Sequence, residues 1–537
     1  MAEAAKAIKN AGGEILIPYL DDNPLLTGTG DVNCGSVNDQ IYAVFETHNS
    51  DNIKITLSSI IGETLKSIVE KINNHEHFKK VVIDLNEILR FFNFFYIFHP
   101  IKNETLTFEE FKAAEKKIKA RASFQPFEQL KPEEIPKWQK CNLCGHRKSV
   151  YEIPVDKNAG YFNKERICSV CLLKRAFPLI APTLIKNMQG KPQFLSTTRI
   201  AAQPIISRLR QLLKQERSDQ LSKAYEELKD AYAAEVMELD PVYGRDEGGH
   251  FFDASVRLQE PLINFRKAFR DSEAELKKRN NADVNLPWLE RPFYAVVSMD
   301  ADNMGTILRD NWSKRQIISR RISDFSKAAE DIIQRDNGQL IFMGGEDISF
   351  LVHPENALPC VGKLSTSFQI IFGDGTFNEG TQKLFTLSAG IAIAFHKYPL
   401  SKTIKIAGEM LDGHAKKQPS KNATAISVTK GHTETFHFTI GNELLKELIE
   451  LENNLHRADI SRTTPYRIRK ARHILSKLEE KQKANYLHTL ISKTRDEERD
   501  EEKKRSILNI VGLLMKFGDT ETMVNALLYA RFLAGDK

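Results

Sequence analysis

Two adjacent glycines, Gly344 and Gly345, separate two short apolar runs, Leu340-Ile341-Phe342-Met343 and Ile348-Ser349-Phe350-Leu351-Val352. Runs of this length and β-propensity, joined by a glycine pair, fold as a hairpin. The tip of that hairpin carries two adjacent carboxylates, Glu346 and Asp347. Glycine allows the tight turn and leaves room for a triphosphate to approach the backbone. Paired carboxylates on a rigid turn suit divalent cations that bridge phosphate oxygens. A plain hairpin with a solvated acidic turn has the same local pattern, so this stretch needs a second acidic element to become a site.

That element lies upstream. Phe293 to Met299 is a strand-like run followed by Asp300-Ala301-Asp302-Asn303-Met304-Gly305. A strand that ends in Asp-x-Asp and meets a helix supplies the opposite wall of a palm-type two-metal site. Residues 306–337 carry a helical pattern, so the order is β-α-β-β, the opening of a ferredoxin-like unit. A β-rich segment at 383–394, a helix over 399–417 and a strand at 422–428 complete it.

Taken together, Met-Asp-Ala-Asp-Asn-Met-Gly (299–305), Gly-Gly-Glu-Asp (344–347), Ser-Ala-Gly-Ile-Ala-Ile-Ala-Phe-His-Lys-Tyr-Pro-Leu (388–400) and Ala-Lys-Lys-Gln-Pro-Ser-Lys-Asn-Ala (415–423) resemble the large palm-polymerase subunit, Cas-ten in its Cmr-type branch, of type III CRISPR effector complexes. The resemblance implies an α+β chain with two ferredoxin-like palm domains, a zinc ribbon and two helical domains. It implies a nucleotidyltransferase that uses ATP, with Mg²⁺ or Mn²⁺, to make a nucleotide second messenger on target RNA binding. Asp300, Glu346 and Asp347 would be the catalytic metal ligands, helped by the Ala301 carbonyl. Asp302 would either ligate metal or orient the helix start. Gly344 and Gly345 would admit the phosphates, and Lys402 and Lys416 would neutralise them. Partners would be the other Cmr-type subunits, CRISPR RNA and target RNA, in the cytoplasm.

The chain departs from the family pattern in three places. The third residue of the tetrad is Glu346 where aspartate is usual, which leaves the product open between a cyclic oligoadenylate and an AMP conjugate of S-adenosylmethionine. The first palm lacks its opening strand and Arg-Asp-Leu-Trp-like helix, so it is expected to be truncated at its N-terminus, unless the start is misplaced. An N-terminal HD nuclease domain is not expected, nor its DNA cleavage; His75-Glu76-His77 reads as a solvated cluster. Two other readings compete: a degenerate palm acting as scaffold in the same complex, and a stand-alone diguanylate-cyclase-like enzyme. The retained acids oppose the first, and the ribbon and C-terminal helices oppose the second.

The 537 residues are enough for three to five structural units. A net charge of +6 permits nucleic-acid contact without arguing for it. No apolar run reaches the length of a membrane span, and Met1 to Lys9 is amphipathic without a signal-peptide core. Of six cysteines, four form the pairs Cys141-x-x-Cys144 and Cys168-x-x-Cys171, separated by residues 145–167. In a chain without a leader this spacing reads as a four-thiolate structural zinc site. Four cysteines fill the tetrahedral shell, which leaves the rival His146 outside it. Cys34 and Cys360 stand alone. The expected domains are a first palm over 1–140, with strands near 15–18 and 41–45, the ribbon over 141–175, and a helical domain over 176–288. The catalytic palm follows over 289–432 and a C-terminal helical domain over 433–537, with helices at 442–455, 465–494 and 503–534. The basic stretch Arg467 to Arg472 could meet a partner or an RNA backbone. The mixed charges of 494–505 read as an exposed helix or linker.

Overall fold

The computed structural model describes residues 1–28, 40–46, 50–75, 78, 81–92, 97–101, 106–123, 135–154, 164–185, 188, 195–215, 219–235, 251–252, 259–280, 291–431, 436–458, 460–492 and 501–535. Cys34, Glu76, His77 and most of the charged block 494–505 lie outside them. The chain gathers into two compact units. One comprises Met1–Phe194, Ala233–Arg245 and Gly305–Ser323; the other comprises Leu195–Tyr232, Asp246–Met304 and Asp324–Lys537.

In the first unit, β1 (Glu14–Ile17) and β2 (Tyr42–Val44) pair antiparallel. The expected long helix is Ser50–Asn74. Its apolar residues Leu65, Val69 and Ile72 are buried against Ile88, Ile167 and the helix Ser169–Leu184. β3 (Tyr151–Pro154) and β4 (Lys164–Ile167) form a second antiparallel pair. Cys141 and Cys168 belong to the same buried cluster.

The second unit is built on a six-stranded sheet of β5 (Phe293–Ala301), β6 (Gln339–Gly344), β7 (Asp347–Val352), β8 (Leu387–Phe395), β9 (Ala423–Thr429) and β10 (Phe436–Gly441). Their spatial order is β10-β9-β8-β5-β7-β6. The four strands β8-β5-β7-β6 have the ferredoxin-like arrangement, with β5 antiparallel to both β7 and β8. β5 is buried along almost its whole length, as a central strand covered on both faces must be. Gly390 of β8 lets the helix Leu400–Gly413 lie directly on the sheet: a Cβ there would collide with the Ala407 carbonyl and the Leu411 nitrogen. Tyr294 pins the same helix, its hydroxyl donating to the Tyr398 carbonyl at 3.1 Å and pairing with Thr403 Oγ1 at 2.7 Å.

Three expectations need correction. The palm sheet does not stop at residue 432: Phe436-His437-Phe438-Thr439-Ile440 alternates buried and exposed positions and adds β10 to the edge beside β9. The stretch 465–494 is three helices, Thr464–Lys470, Arg472–Leu475 and Glu480–Ile491. The stretch 503–534 is two, Glu501–Lys516 and Thr520–Ala534. There Gly518 adopts φ +77° and the Asp519 side chain caps the second helix, accepting from the Glu521 and Thr522 amides. The helix Pro354–Phe372, between β7 and β8, was not read from the sequence. No helix among the described residues is long and apolar enough to cross a membrane.

Candidate functional site

One edge of the six-stranded sheet collects the acidic residues. β5 ends there in Asp300 and Ala301, and β6 and β7 meet there in the Gly345-Glu346 turn. β8 begins there, since Ala301 pairs with Leu387. The turn has two central residues, closed by the Gly344–Asp347 pair. Gly345 adopts φ +74° and Glu346 does not share the left-handed region, the pattern of a type II′ turn. Ser326 Oγ, on the helix Arg315–Arg335, donates to the Gly345 carbonyl at 3.2 Å and holds the turn from behind. Gly344 has a separate reason: the Phe342 ring lies over it, 2.5 Å from where a Cβ would stand.

The register places Met299 opposite Ile348. The next positions along, Asp300 and Asp347, are therefore neighbours across β5 and β7. Glu346 on the adjoining turn is half-buried and Asp347 is exposed. The Ser298 and Ser349 hydroxyls, two residues back on the same face, are 3.1 Å apart. Phe342 opposes Ser349 and so shares that face. It reaches it because the register slips between Leu340 and Phe342, a bulge that turns the ring away from the Leu340 side. Its ring is 49% exposed, an apolar platform beside the acidic turn. Strand alternation alone gave no hint of it, and a bulge leaves no sequence signature here.

The two aspartates of Asp-Ala-Asp have different surroundings. Asp302 is 1% exposed. It accepts from Thr386 Oγ1 at 2.8 Å, from Ser388 Oγ at 2.9 and 3.0 Å, and from the Asn422 amide at 3.0 Å. Its own amide donates to the Thr386 carbonyl. In place of a metal ligand or a residue orienting the helix start, Asp302 has the geometry of a latch tying the ends of β5, β8 and β9. Lys421 and Asn422 both take positive φ, 50° and 42°, to bring the Asn422 amide to it. Asn442 extends the network, donating to the Leu387 carbonyl and to Asn422 Oδ1. Lys421 Nζ donates to Asn303 Oδ1 at 2.9 Å.

Asp300 is instead accessible, with 22% of its side chain exposed, and the Lys416 ammonium rests on its Oδ2. Burial, aided by the Lys421 charge, draws the Lys416 ammonium down to about 8, and the Asp300 carboxylate opposes that pull. Lys402 belongs elsewhere and is corrected. Phe395 pairs with Phe293, so the chain leaves β8 at the opposite edge, and Lys402 stands in the first turn of the helix that starts there. Nine residues of strand put it about 26 Å from the acidic edge. The helix then returns to deliver Lys416. The His-Lys-Tyr-Pro-Leu run shares Lys402's edge and packs: His396 Nδ1 lies 3.0 Å from Thr198 Oγ1, and the His396 carbonyl accepts from Thr197.

The cysteine pairs form a second cluster. The Cys141, Cys144, Cys168 and Cys171 sulfurs all lie within 4.8 Å of one another. Tetrahedral zinc with Zn–S near 2.3 Å requires sulfurs about 3.8 Å apart, and Cys144 and Cys168 are separated by 3.9 Å. Gly145, at φ +71°, closes the first knuckle with its amide on the Cys141 carbonyl. Cys168 starts the helix Ser169–Leu184. Burial pushes the Cys168 thiol up to about 11 and Cys171 higher still. At Cys144 burial pulls the same way, but the His146 and Arg147 amides outweigh it and bring that thiol to about 7. The donor set fits a divalent soft cation such as zinc, which would hold all four as thiolates. Cys360 is buried away from this cluster, its thiol raised by burial.

Residues 293–425 match the family model for the second palm domain of Cas10/Cmr2. A curated relative, the CRISPR system Cmr subunit Cmr2 of Pyrococcus furiosus, is 25% identical over 350 residues. That alignment covers 59% of this chain and 38% of the relative, so the chain spans well under half of the length of the protein it matches. Among solved structures, a chain of the Type III-B Cmr-beta complex bound to cognate target RNA is similar with a TM-score of 0.53 and 12% identity, over 89% of this chain and 70% of that one. A chain from the apo state of Type III-B Cmr-beta is similar with a TM-score of 0.50 and 12% identity, over 89% and 69%. At such identity the likeness is one of fold.

Proposed function

As residues 293–425 match the family model for the second palm domain of Cas10/Cmr2, we propose that this chain is the large subunit of a type III, Cmr-type, RNA-guided complex. On target RNA binding its palm makes a nucleotide second messenger from ATP. The observation that carries the reading is the meeting of Asp300, at the end of β5, with the Glu346-Asp347 turn on one open sheet edge. Asp300, Glu346, Asp347 and the Ala301 carbonyl form an all-oxygen donor set, which fits Mg²⁺ or Mn²⁺. The ion pair of Lys416 with Asp300 supports a place for positive charge at this edge. Bound there, two such ions would neutralise the triphosphate and lower the pKa of the attacking hydroxyl.

The chain's own residues do the rest. Asp302 and its hydrogen-bond network keep the ends of β5, β8 and β9 in register, so the carboxylates do not reorganise during reaction. Lys416 and Lys421 place positive charge at the same edge for the phosphates. Gly345 keeps the turn tight and Gly344 makes room for the Phe342 ring. The exposed Phe342 ring offers a base a face to stack on. The acceptor's 3′-oxygen bonds to the α-phosphorus of ATP, the bond from that phosphorus to the β-phosphate bridge breaks, and pyrophosphate leaves. The hydroxyl proton passes to solvent.

Under this reading 1–140 is the first palm, represented by β1, β2 and the helix Ser50–Asn74. Residues 141–175 are the zinc ribbon, 176–288 a helical domain, and the palm of 289–432 continues through β10 into the C-terminal helices. The protein would act in the cytoplasm beside guide RNA and the other subunits. Glutamate at 346 leaves both products in play, a cyclic oligoadenylate or an AMP conjugate of S-adenosylmethionine. The test incubates the assembled complex with labelled ATP, Mg²⁺ or Mn²⁺ and target RNA, with and without S-adenosylmethionine. A labelled product that disappears in Glu346→Ala/Asp347→Ala, while assembly and RNA binding persist, is expected. Equal product from the double variant would remove the palm edge as the active site, and product from GTP alone would favour a diguanylate-cyclase-like enzyme.

A further inference from the structure

The ribbon presents a surface that the palm reading does not use. Residues 135–154 and 164–175 hold eight lysines and arginines against Glu152 and Glu165 alone. That excess of six equals the net charge of the entire chain. On this basic module Trp138 is 64% exposed and Leu143, at the tip of the first knuckle, is 54% exposed. A single exposed apolar side chain is common on a protein surface, so Trp138 carries weight only together with the cations of this module.

Trp138 is nevertheless held in place. It lies in the single 3₁₀ turn Lys137–Gln139, whose Gln139 amide donates to the Pro136 carbonyl at 2.8 Å. The Gln139 carbonyl accepts from the Ser149 amide at 2.8 Å, and Lys140 bridges Lys148 across the knuckle. The Arg166 guanidinium donates to the Trp138 carbonyl, and the Arg166 backbone is itself clamped to Asn142, its amide donating to Asn142 Oδ1 at 2.7 Å and its carbonyl accepting from the Asn142 amide at 2.8 Å. The platform is thus tied to the backbone that carries the cysteines.

Two groups stand out among these cations. Arg147 and Lys174 turn to the Phe91 ring, at 4.8 and 4.4 Å, and Arg147 also faces Glu87. Lys137, Lys140 and Lys148 surround the Trp138 turn and make no ion pair among the described residues. An exposed indole on an anchored turn, beside three lysines with no ion pair among the described residues, matches a chain that offers a flat π-face and phosphates together. Single-stranded nucleic acid does so, because its bases are free to leave the stack; a duplex hides them.

We infer that the Trp138 face of the cysteine ribbon is a docking site for single-stranded RNA, with Trp138 stacking on a base and Lys137, Lys140 and Lys148 taking the flanking phosphates. The site belongs to this chain alone and does not depend on nucleotide chemistry at the palm. It adds a contact with RNA outside any guide pairing and without strict sequence preference.

The test uses the full chain, zinc-loaded, and a labelled short polyuridine RNA. Binding is expected to weaken as salt rises. Trp138→Ala is expected to weaken it about tenfold, with zinc content unchanged as proof that the ribbon remains folded. Trp138→Phe, which keeps a ring, is expected to restore most of the affinity while abolishing the quenching of tryptophan emission on binding. Lys137→Glu/Lys148→Glu is expected to flatten the salt dependence. Glu346→Ala/Asp347→Ala is expected to bind like the parent chain, which separates this site from the palm. Unchanged affinity and salt slope in both the Trp138→Ala and lysine variants would overturn the inference. So would a Trp138→Ala chain that keeps its RNA affinity but no longer joins a protein subunit, since the face would then be a protein dock.

Discussion

The cysteine cluster and the acidic sheet edge both gather side chains of metal-ligating type, but in opposite ways. In the cysteine cluster, four like donors converge to within 4.8 Å, two of them buried, enough to fill the shell of a tetrahedral cation. At the sheet edge the donors are spread over a strand end and a turn, they are half-buried or exposed, and a lysine already contacts one of them. A closed shell leaves a metal nothing to do but hold the chain together. An open one leaves coordination positions for a substrate, and its supporting residues stand behind it, as Asp302 stands behind Asp300. Burial thus separates two aspartates only two residues apart, Asp302 closed into the fold and Asp300 open to a ligand.

The largest effect expected from breaking this contrast is at Asp300. Asp300→Ala should lower product formation by about a thousandfold or more, because several kcal/mol of barrier reduction go with the cations it would hold. The unfolding midpoint should hardly move, since its partner Lys416 is also partly solvated. Turnover of labelled ATP beside a thermal scan checks both halves; a stability loss as large as the activity loss would make Asp300 a structural residue.

Next in size is metal removal from the ribbon. Thiolate coordination in isolated zinc modules is worth on the order of 10 kcal/mol. A strong chelator, or Cys168→Ser, should therefore open residues 141–171 to protease while amides of β5 and β8 stay protected from exchange. Protease resistance unchanged after metal has been shown to leave would mean that the buried cluster of Ile167, Leu172 and Leu65 holds the ribbon by itself.

A smaller loss belongs to the latch. Asp302→Asn keeps shape but sets an amide N–H₂ against hydroxyl and amide donors, and should cost about 1–3 kcal/mol of stability. Activity should fall with it. Asp302→Asn with parent-like stability and no activity would instead place Asp302 among the metal ligands.

The smallest effect concerns pH. Lys416 is charged below about 8 and loses its proton above it. If it neutralises triphosphate, KM for ATP should rise a few-fold as pH passes from below to above that value, with kcat less affected. Lys416→Arg, charged throughout, should remove the alkaline limb. An alkaline limb that persists in the arginine variant would assign it to another group.

Much of the molecule was legible before its structure because the relevant signals are local. The cysteine pairs declare themselves by spacing, and a Cys-x-x-Cys knuckle needs only a tight turn to converge. The Gly345 turn is likewise a property of a few residues. The family resemblance rested on such motifs, and the match over 293–425 bears it out. The helix breaks at 471 and 518 and the extra strand β10 were less legible, since an alternating pattern at the end of a domain says nothing about which sheet edge it will join.

Residue identity by itself determined that this chain would have a glycine-turned acidic hairpin, an Asp-Ala-Asp strand end and a four-thiol cluster. Those features depend on neighbours within a few positions along the chain. Which aspartate is accessible, which lysine approaches it and which aromatic ring faces it were decided only by the tertiary structure. Asp300 and Asp302 look alike until Thr386, Ser388 and Asn422, 84 to 120 residues away, close on one of them. Lys402 and Lys416 look alike until a nine-residue strand carries the chain to the far edge and a fourteen-residue helix brings it back. Phe342 faces the site only through one irregular pair in a register. The physical reason is common to all three: strand and helix directions set which end of a sheet a side chain occupies, and those directions are settled by long-range pairing rather than by local preference.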